Sequence, residues 1–280
     1  MDAAMNKLGF FWKRRIRNSI IAILLLVVFA AWITREKQQL GRPSFATGYV
    51  LLAAIVFLML YNVRKKLPMI PLGKSSTWLQ AHIYVGLGTI GVFLLHIGFR
   101  VPDGIFELIL ASLFGIVAAS GIYGLYITRS IPKKLSQLSD EVIYENIPSR
   151  RHQLAATASQ LALSSVSDTK ATAIADFYTD RLIQFFERPR GVAFTMVPSG
   201  RYRRRLMKEL SHIQQFCSKA EKQISDQMFS LIRKKDDLDY QHALQHKLKV
   251  WMFAHIAMSY SLLILALFHT VLAHAFYGGF

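Results

Sequence analysis

The chain has 280 residues, 52% of them hydrophobic, with a mean hydropathy of +0.29, and its long uncharged runs are too apolar for one soluble core. The net charge of +17 would suit nucleic acid, but the Lys/Arg residues are segregated between alternate loops, which points to membrane topology instead. A lone Cys217 excludes covalent c-type haem attachment, four-thiolate iron–sulfur or zinc centres and an internal disulfide framework.

Five apolar stretches, at residues 18–34, 47–63, 80–99, 105–127 and 250–274, are long enough or nearly so to cross a hydrocarbon core of about 30 Å as helices. Lys13, Arg14, Arg15 and Arg17 precede the first in the manner of a signal anchor. Trp32-Ile33-Thr34-Arg35 offers no small-residue cleavage pattern, so the segment is expected to be retained. The second span is a plain packing helix. A loop with Pro68 and Pro71 leads to the interfacial Trp78 and the third span, whose shared face displays His82, Gly86, Thr89, Phe93 and His96. A turn at Pro102-Asp103-Gly104 opens the fourth, which carries Gly115, Gly121 and Gly124 for close helix contact and Glu107 as an interfacial carboxylate.

From Arg129 to Lys249 the chain turns hydrophilic, with 21 Lys/Arg against 13 Asp/Glu. The spacing of Phe177, Leu182, Phe185 and Phe186, and of Leu206, Leu210, Ile213, Phe216 and Ile224, is helical, with a connector at 188–200 between the two groups. The Ala/Ser-rich stretch 155–167 reads equally as helix or as flexible connection. Asp236 or Asp237 is the expected start of a helix that runs on into the fifth span.

Residues 1–18 carry five Lys/Arg, 64–79 four and 129–249 twenty-one, against three in 35–46, one in 100–104 and none in 275–280. The positive-inside rule puts the rich segments in the cytoplasm. The expected architecture is all-α, a polytopic membrane bundle of five transmembrane helices. Helices one to four occupy 1–128, a basic helical cytoplasmic insert occupies 129–249, and the fifth helix with an outer tail occupies 250–280. The expected location is a bacterial inner membrane, with the N-terminus cytoplasmic and the C-terminus periplasmic.

His82 and His96 are 14 residues apart, as are His255 and His269. At about 100° per residue the step falls some 40° short of four turns, so each pair shares a helix face, with its rings about 21 Å apart along the axis. Histidines inside a bilayer are costly and therefore functional candidates, although a single one can simply bond to a neighbouring helix. The matched spacing on two crossings that run the same way favours two bis-histidine haem b sites, His82 with His255 and His96 with His269, over four unrelated structural histidines. Zinc would find no acidic or thiolate partner at either level.

Gly86 would let a flat macrocycle approach, and serves helix packing equally well. Arg100, one turn beyond His96, is placed to pair with a haem propionate or to anchor the interface. Lys74, Arg129 and Lys249 have weaker claims to such a role on the inner side. His274 is expected at the outer surface. His242 and His246, at i and i+4, could chelate a metal but have no third ligand nearby, so a solvated face is favoured; His152 and His212 fit no pattern. The densest basic patch is Arg201, Arg203, Arg204, Arg205 and Lys208. It would dock an acidic carrier protein or a nucleotide, or contact anionic membrane lipid, which is the safer reading. No pyridine-nucleotide, phosphate-loop or flavin signature occurs in the insert.

The pairs His82-x13-His96 and His255-x13-His269 resemble the haem ligands of the dihaem cytochrome b group, and look most like the transmembrane domain of ferric reductases and NADPH oxidases, over about residues 47–127 and 250–274. The resemblance implies two bis-histidine b haems and electron flow across the membrane. The chain departs from those enzymes in lacking a C-terminal flavin and nucleotide domain and in carrying the 129–249 insert. Partners must therefore supply and collect electrons: a cytoplasmic carrier protein docked on the insert or a membrane quinol, and a periplasmic acceptor, in either direction. Such a chain would be the electron-transfer subunit of an oxidoreductase complex. Two other classes stay open, a transporter or proton-relay subunit using the intramembrane histidines, and a membrane adaptor whose basic insert recruits proteins.

Overall fold

The computed structural model describes residues 2–38, 43–66, 73–138, 140, 142–169 and 172–277. Pro68, Pro71 and the tail residues Gly278, Gly279 and Phe280 lie outside the described residues. All regular structure within them is helical: α1 (Asp2–Gln38), α2 (Pro43–Lys66), α3 (Ser75–His96), α4 (Ile105–Leu135), α5 (Ile147–Thr169), α6 (Ala173–Phe177), α7 (Ile183–Glu187), α8 (Val192–Met196), α9 (Arg201–Gln214) and α10 (Lys219–Tyr277). A short 3-10 turn, Tyr144–Asn146, precedes α5, and a wider π turn, Tyr178–Leu182, joins α6 to α7. The chain divides into two compact units, Met1–Leu125 with Phe253–Phe280, and Tyr126–Met252.

Among the described residues five helices are long and apolar enough to cross a membrane: Lys13–Glu36, Pro43–Arg64, Ser75–His96, Ile105–Leu135 and the helix Lys219–Phe276. Their outward faces are greasy. Ile23, Leu24, Leu25 and Val28 of α1 are each more than half exposed, a surface that lipid accommodates and water does not. These features are compatible with a multi-pass membrane protein. In the first unit α3 packs on α2 and α1, and Leu51 and Ile55 of α2 meet Phe114 of α4 and Leu262 of α10 in a small buried core.

Helix α3 ends at His96, three residues sooner than the apolar run suggests. Gly98 adopts φ +60, which glycine tolerates because it has no Cβ. The Phe99 amide then donates to the Leu94 carbonyl (3.1 Å) and the Gly98 amide to that of Leu95 (3.3 Å), the two bonds of a Schellman cap. Arg100 therefore lies in the following turn and not one helical turn beyond His96.

The second unit is built on Phe186, Leu182, Leu206, Leu210, Met228 and Ile232, all essentially buried. Residues 155–167 belong to α5, and the connector 188–200 contains α8. Helix α10 starts at Lys219 rather than at Asp236 or Asp237. The cap is encoded in Ser218-Lys219-Ala220-Glu221: the Ser218 amide donates to Glu221 Oε2 at 2.7 Å and the Glu221 amide to Ser218 Oγ at 3.4 Å, a reciprocal capping box.

The acidic run is buried within that helix. Lys235 is fully buried against Asp239, Asp236 pairs with Arg190 and with Arg203 (3.1 Å), and Arg151 lies 3.5 Å from Asp239. Burial pushes the Lys235 ammonium below its usual pKa against the pull of Asp239, and pushes Asp236 upward against Arg190 and Arg203. The chain before α5 is strapped to α10: the Val142 amide donates to Gln241, Gln245 donates to the Val142 carbonyl, and Tyr144 stacks on His242 at 5.2 Å. His242 and His246 are thus half-buried, and the expected solvated face is instead covered by Tyr144, whose hydroxyl meets His246 Nδ1 at 3.0 Å.

Candidate histidine site

His96 is fixed from two sides. Its backbone sits at the capped end of α3, and its Nδ1 lies 2.9 Å from Thr47 Oγ1 of α2. The Thr47 hydroxyl reaches the carbonyl oxygens of Pro43 (2.9 Å) and Ser44 (3.1 Å), which can only accept. With its proton on either carbonyl, the Thr47 oxygen is free to accept from His96 Nδ1–H, the tautomer that leaves the imidazole lone pair on Nε2. Gly48 makes room for the ring: a Cβ at that position would stand 3.2 Å from His96 Cε1.

The ring of His269, on α10, has its centroid 6.3 Å from that of His96, with the planes at 87°, and rests against Phe106 at 6.2 Å. Both histidines line a cavity of about 360 Å³, inside the range of small-molecule and cofactor sites. Phe93 and Phe114, stacked at 4.2 Å, form part of its apolar wall, and Arg100, Asp103 and Glu107 bring charge to it. Arg100 is exposed and lines this cavity although the helix has already ended.

The described contacts of His82 and His255 lead to different helices. His82 Nδ1 is 3.2 Å from the Leu58 carbonyl oxygen of α2, and its ring lies 5.2 Å from Tyr61. A carbonyl cannot donate, so this histidine too carries its proton on Nδ1. His255 Nδ1 is 3.2 Å from Ser120 Oγ of α4, and its Cε1 is 3.7 Å from where a Cβ on Gly121 would be. Gly86 faces Leu58 at an ordinary contact distance of 3.9 Å and is not among the residues that line the His96/His269 cavity. Three of the four rings have Nδ1 tied to a neighbouring helix, the support that orients a histidine for a metal at Nε2. Among the described residues no group of three or more His, Cys, Asp or Glu could hold a bare metal ion.

The remaining candidates have other partners. His274 is half-buried, bonded to the Tyr49 hydroxyl and, at 2.7 Å, to the Thr270 carbonyl, with Phe45 edge-on at 5.4 Å. Lys249 pairs with Glu145 at 2.9 Å and sits over Tyr144 at 4.3 Å, and Lys74 precedes α3 without capping it. Arg129, His152 and His212 are exposed. In the basic patch Arg203 is drawn to Asp236 and Asp237 and Arg205 to Glu209, while Arg201, Arg204 and Lys208 are exposed. Sequence reasoning missed Thr47, Gly48 and Ser120, because nothing local to 47–48 or 120 records which ring will face them. Comparison of the chain with protein-family models, with curated proteins and with solved structures finds no match.

Proposed function

We propose that this chain is a membrane dihaem cytochrome b subunit that carries electrons across a bilayer. The observation that carries the reading is the convergence of His96 and His269 on one cavity, with ring centroids 6.3 Å apart. Haem b is a group that two imidazoles converging on one cavity would hold. Haem b held by His96 and His269 would supply reversible one-electron transfer, since two imidazole ligands leave no open position for oxygen chemistry.

This chain's residues do the rest. Thr47 holds the His96 proton on Nδ1, Gly48 leaves the ring its space, Phe93 and Phe114 exclude water, and Arg100 offers a guanidinium to a carboxylate at the rim. His82 and His255, held by the Leu58 carbonyl and Ser120, are the ligands of the second haem by their spacing. In this reading the five apolar helices cross a bacterial inner membrane with the N-terminus and the insert cytoplasmic and the C-terminus periplasmic. A cytoplasmic redox protein or a quinol and a periplasmic acceptor are the electron partners, and the flow can run either way.

The test is the reduced-minus-oxidised spectrum of the purified full chain. Two b-type haems per chain are expected, with one lost in His96→Ala or His269→Ala and the other in His82→Ala or His255→Ala. A colourless protein refutes the proposal. One observation favours a second reading, a proton relay: Asp103 and Glu107 line the same cavity as the two imidazoles, a set of groups that can pass protons. That reading predicts a colourless chain whose proton flux in liposomes falls in Glu107→Gln.

A further inference from the structure

The arginines of the second unit assemble a site that the electron-transfer reading does not use. A cavity of about 530 Å³ opens between α9 and α10, lined by Arg203, Arg204 and Met207 from the one and Arg233 and Asp237 from the other. The spacing is i, i+1, i+4 on α9 and i, i+4 on α10, so each helix turns one face to the opening. Three guanidiniums meet one carboxylate there, an excess of two positive charges. Arg203 is engaged with Asp236 at 3.1 Å and Asp237 at 3.5 Å. Arg204 and Arg233 are exposed, Arg233 within electrostatic reach of Asp237 and neither in a close ion pair among the described residues.

We propose that this cavity binds a phosphate monoester. Like charges around one opening repel, and an anion between them removes the repulsion. A monoester carries about −1.5 to −2 charges at neutral pH, matching the local excess. The planar fork of each arginine meets tetrahedral phosphate oxygens in pairs of charge-assisted bonds. Met207 supplies an adaptable apolar surface for the organic part of the ester. Asp237 repels the further carboxylates of a polyanion, which disfavours a polycarboxylate relative to a single phosphate group. The shared chemistry fits a soluble ester and a phosphatidic-acid headgroup alike.

Calorimetry on the full chain in phosphatidylcholine nanodiscs, with glycerol 3-phosphate and dioctanoyl phosphatidic acid as separate probes and citrate as control, tests the site. Binding of either phosphate is expected, weakened tenfold or more in the Arg204→Ala/Arg233→Ala double variant and by added salt. Both substituted side chains are exposed, and unchanged far-ultraviolet circular dichroism verifies the fold. Binding of the lipid probe alone assigns a headgroup site, of the soluble probe alone a metabolite site, and of both a site that reads only the phosphate. Absence of binding by both, equal binding by the double variant, or citrate binding as tightly as the esters overturns the proposal. None of these outcomes depends on whether the histidines hold haem.

Discussion

Replacing Thr47 by Val isolates the interaction that orients His96. Thr47 is 1% exposed, and its hydroxyl is the acceptor 2.9 Å from His96 Nδ1. Valine keeps the branched shape and deletes the acceptor, so a buried N–H loses its partner at a cost of about 1–3 kcal/mol. The ring then has a reason to rotate or to move its proton to Nε2, where the metal would bind. Loss of such a supporting bond typically weakens metal binding 10–100-fold, about 1.4–2.8 kcal/mol, which agrees with the hydrogen-bond figure. The assay is the rate at which an excess of apomyoglobin strips haem from the purified variant, followed in the b-type absorption bands. Under the proposed dihaem function, one haem should leave 10–100-fold faster and the other at the wild-type rate, with Thr47→Ser restoring both. A Thr47→Val protein that keeps both haems at wild-type rates and potentials would refute the tautomer argument, whatever its melting temperature.

Three further outcomes follow from the packing. Gly48→Val places carbon 3.2 Å from His96 Cε1, so under the proposed dihaem function the midpoint potential of the haem assigned to His96 and His269 should shift while that of the other stays; identical potentiometric curves would contradict the close approach. In the second unit Asp239 serves Lys235, Arg151 and Arg190 together, so Asp239→Leu strands Lys235 and Arg151, while Arg190 keeps Asp236, and should cost about 3–5 kcal/mol. Lys235→Met leaves Asp239 two arginines and should cost less; the reverse order in urea unfolding would sink the network account. His242 is held below the ordinary imidazole pKa by burial first and by Arg151 second. The unfolded chain therefore binds more protons between the folded value and about pH 6.5, and stability is full above that window and declines as pH falls through it. His242→Gln should flatten the decline in melting temperature between pH 8 and pH 5.5, and equal slopes for the two proteins would exclude His242 as its source.

Much of the candidate site was legible because its signals are local. The 14-residue step placed each histidine pair on one helix, and both pairs do lie within single helices, α3 and α10. The capping box at Ser218 and Glu221 was equally legible. It competes with the more conspicuous acidic run at Asp236 and Asp237, which resembles a helix start and lies inside the helix only because Arg190 and Arg203, distant in sequence, pair with it. The termination of α3 was encoded in Gly98, but the apolar run on either side of it hid the stop.

Composition and periodicity alone determined that this chain forms long apolar helices, that a basic helical segment interrupts them, and that four histidines fall into two equally spaced pairs, since hydrophobicity and helical pitch act over a few neighbouring residues. Only the tertiary structure decided that His96 meets Thr47, 49 residues away, that His269 faces it across a cavity, and that His82 and His255 rest on α2 and α4. Such pairings depend on how whole helix faces pack against one another, a collective outcome that no short stretch of residues encodes.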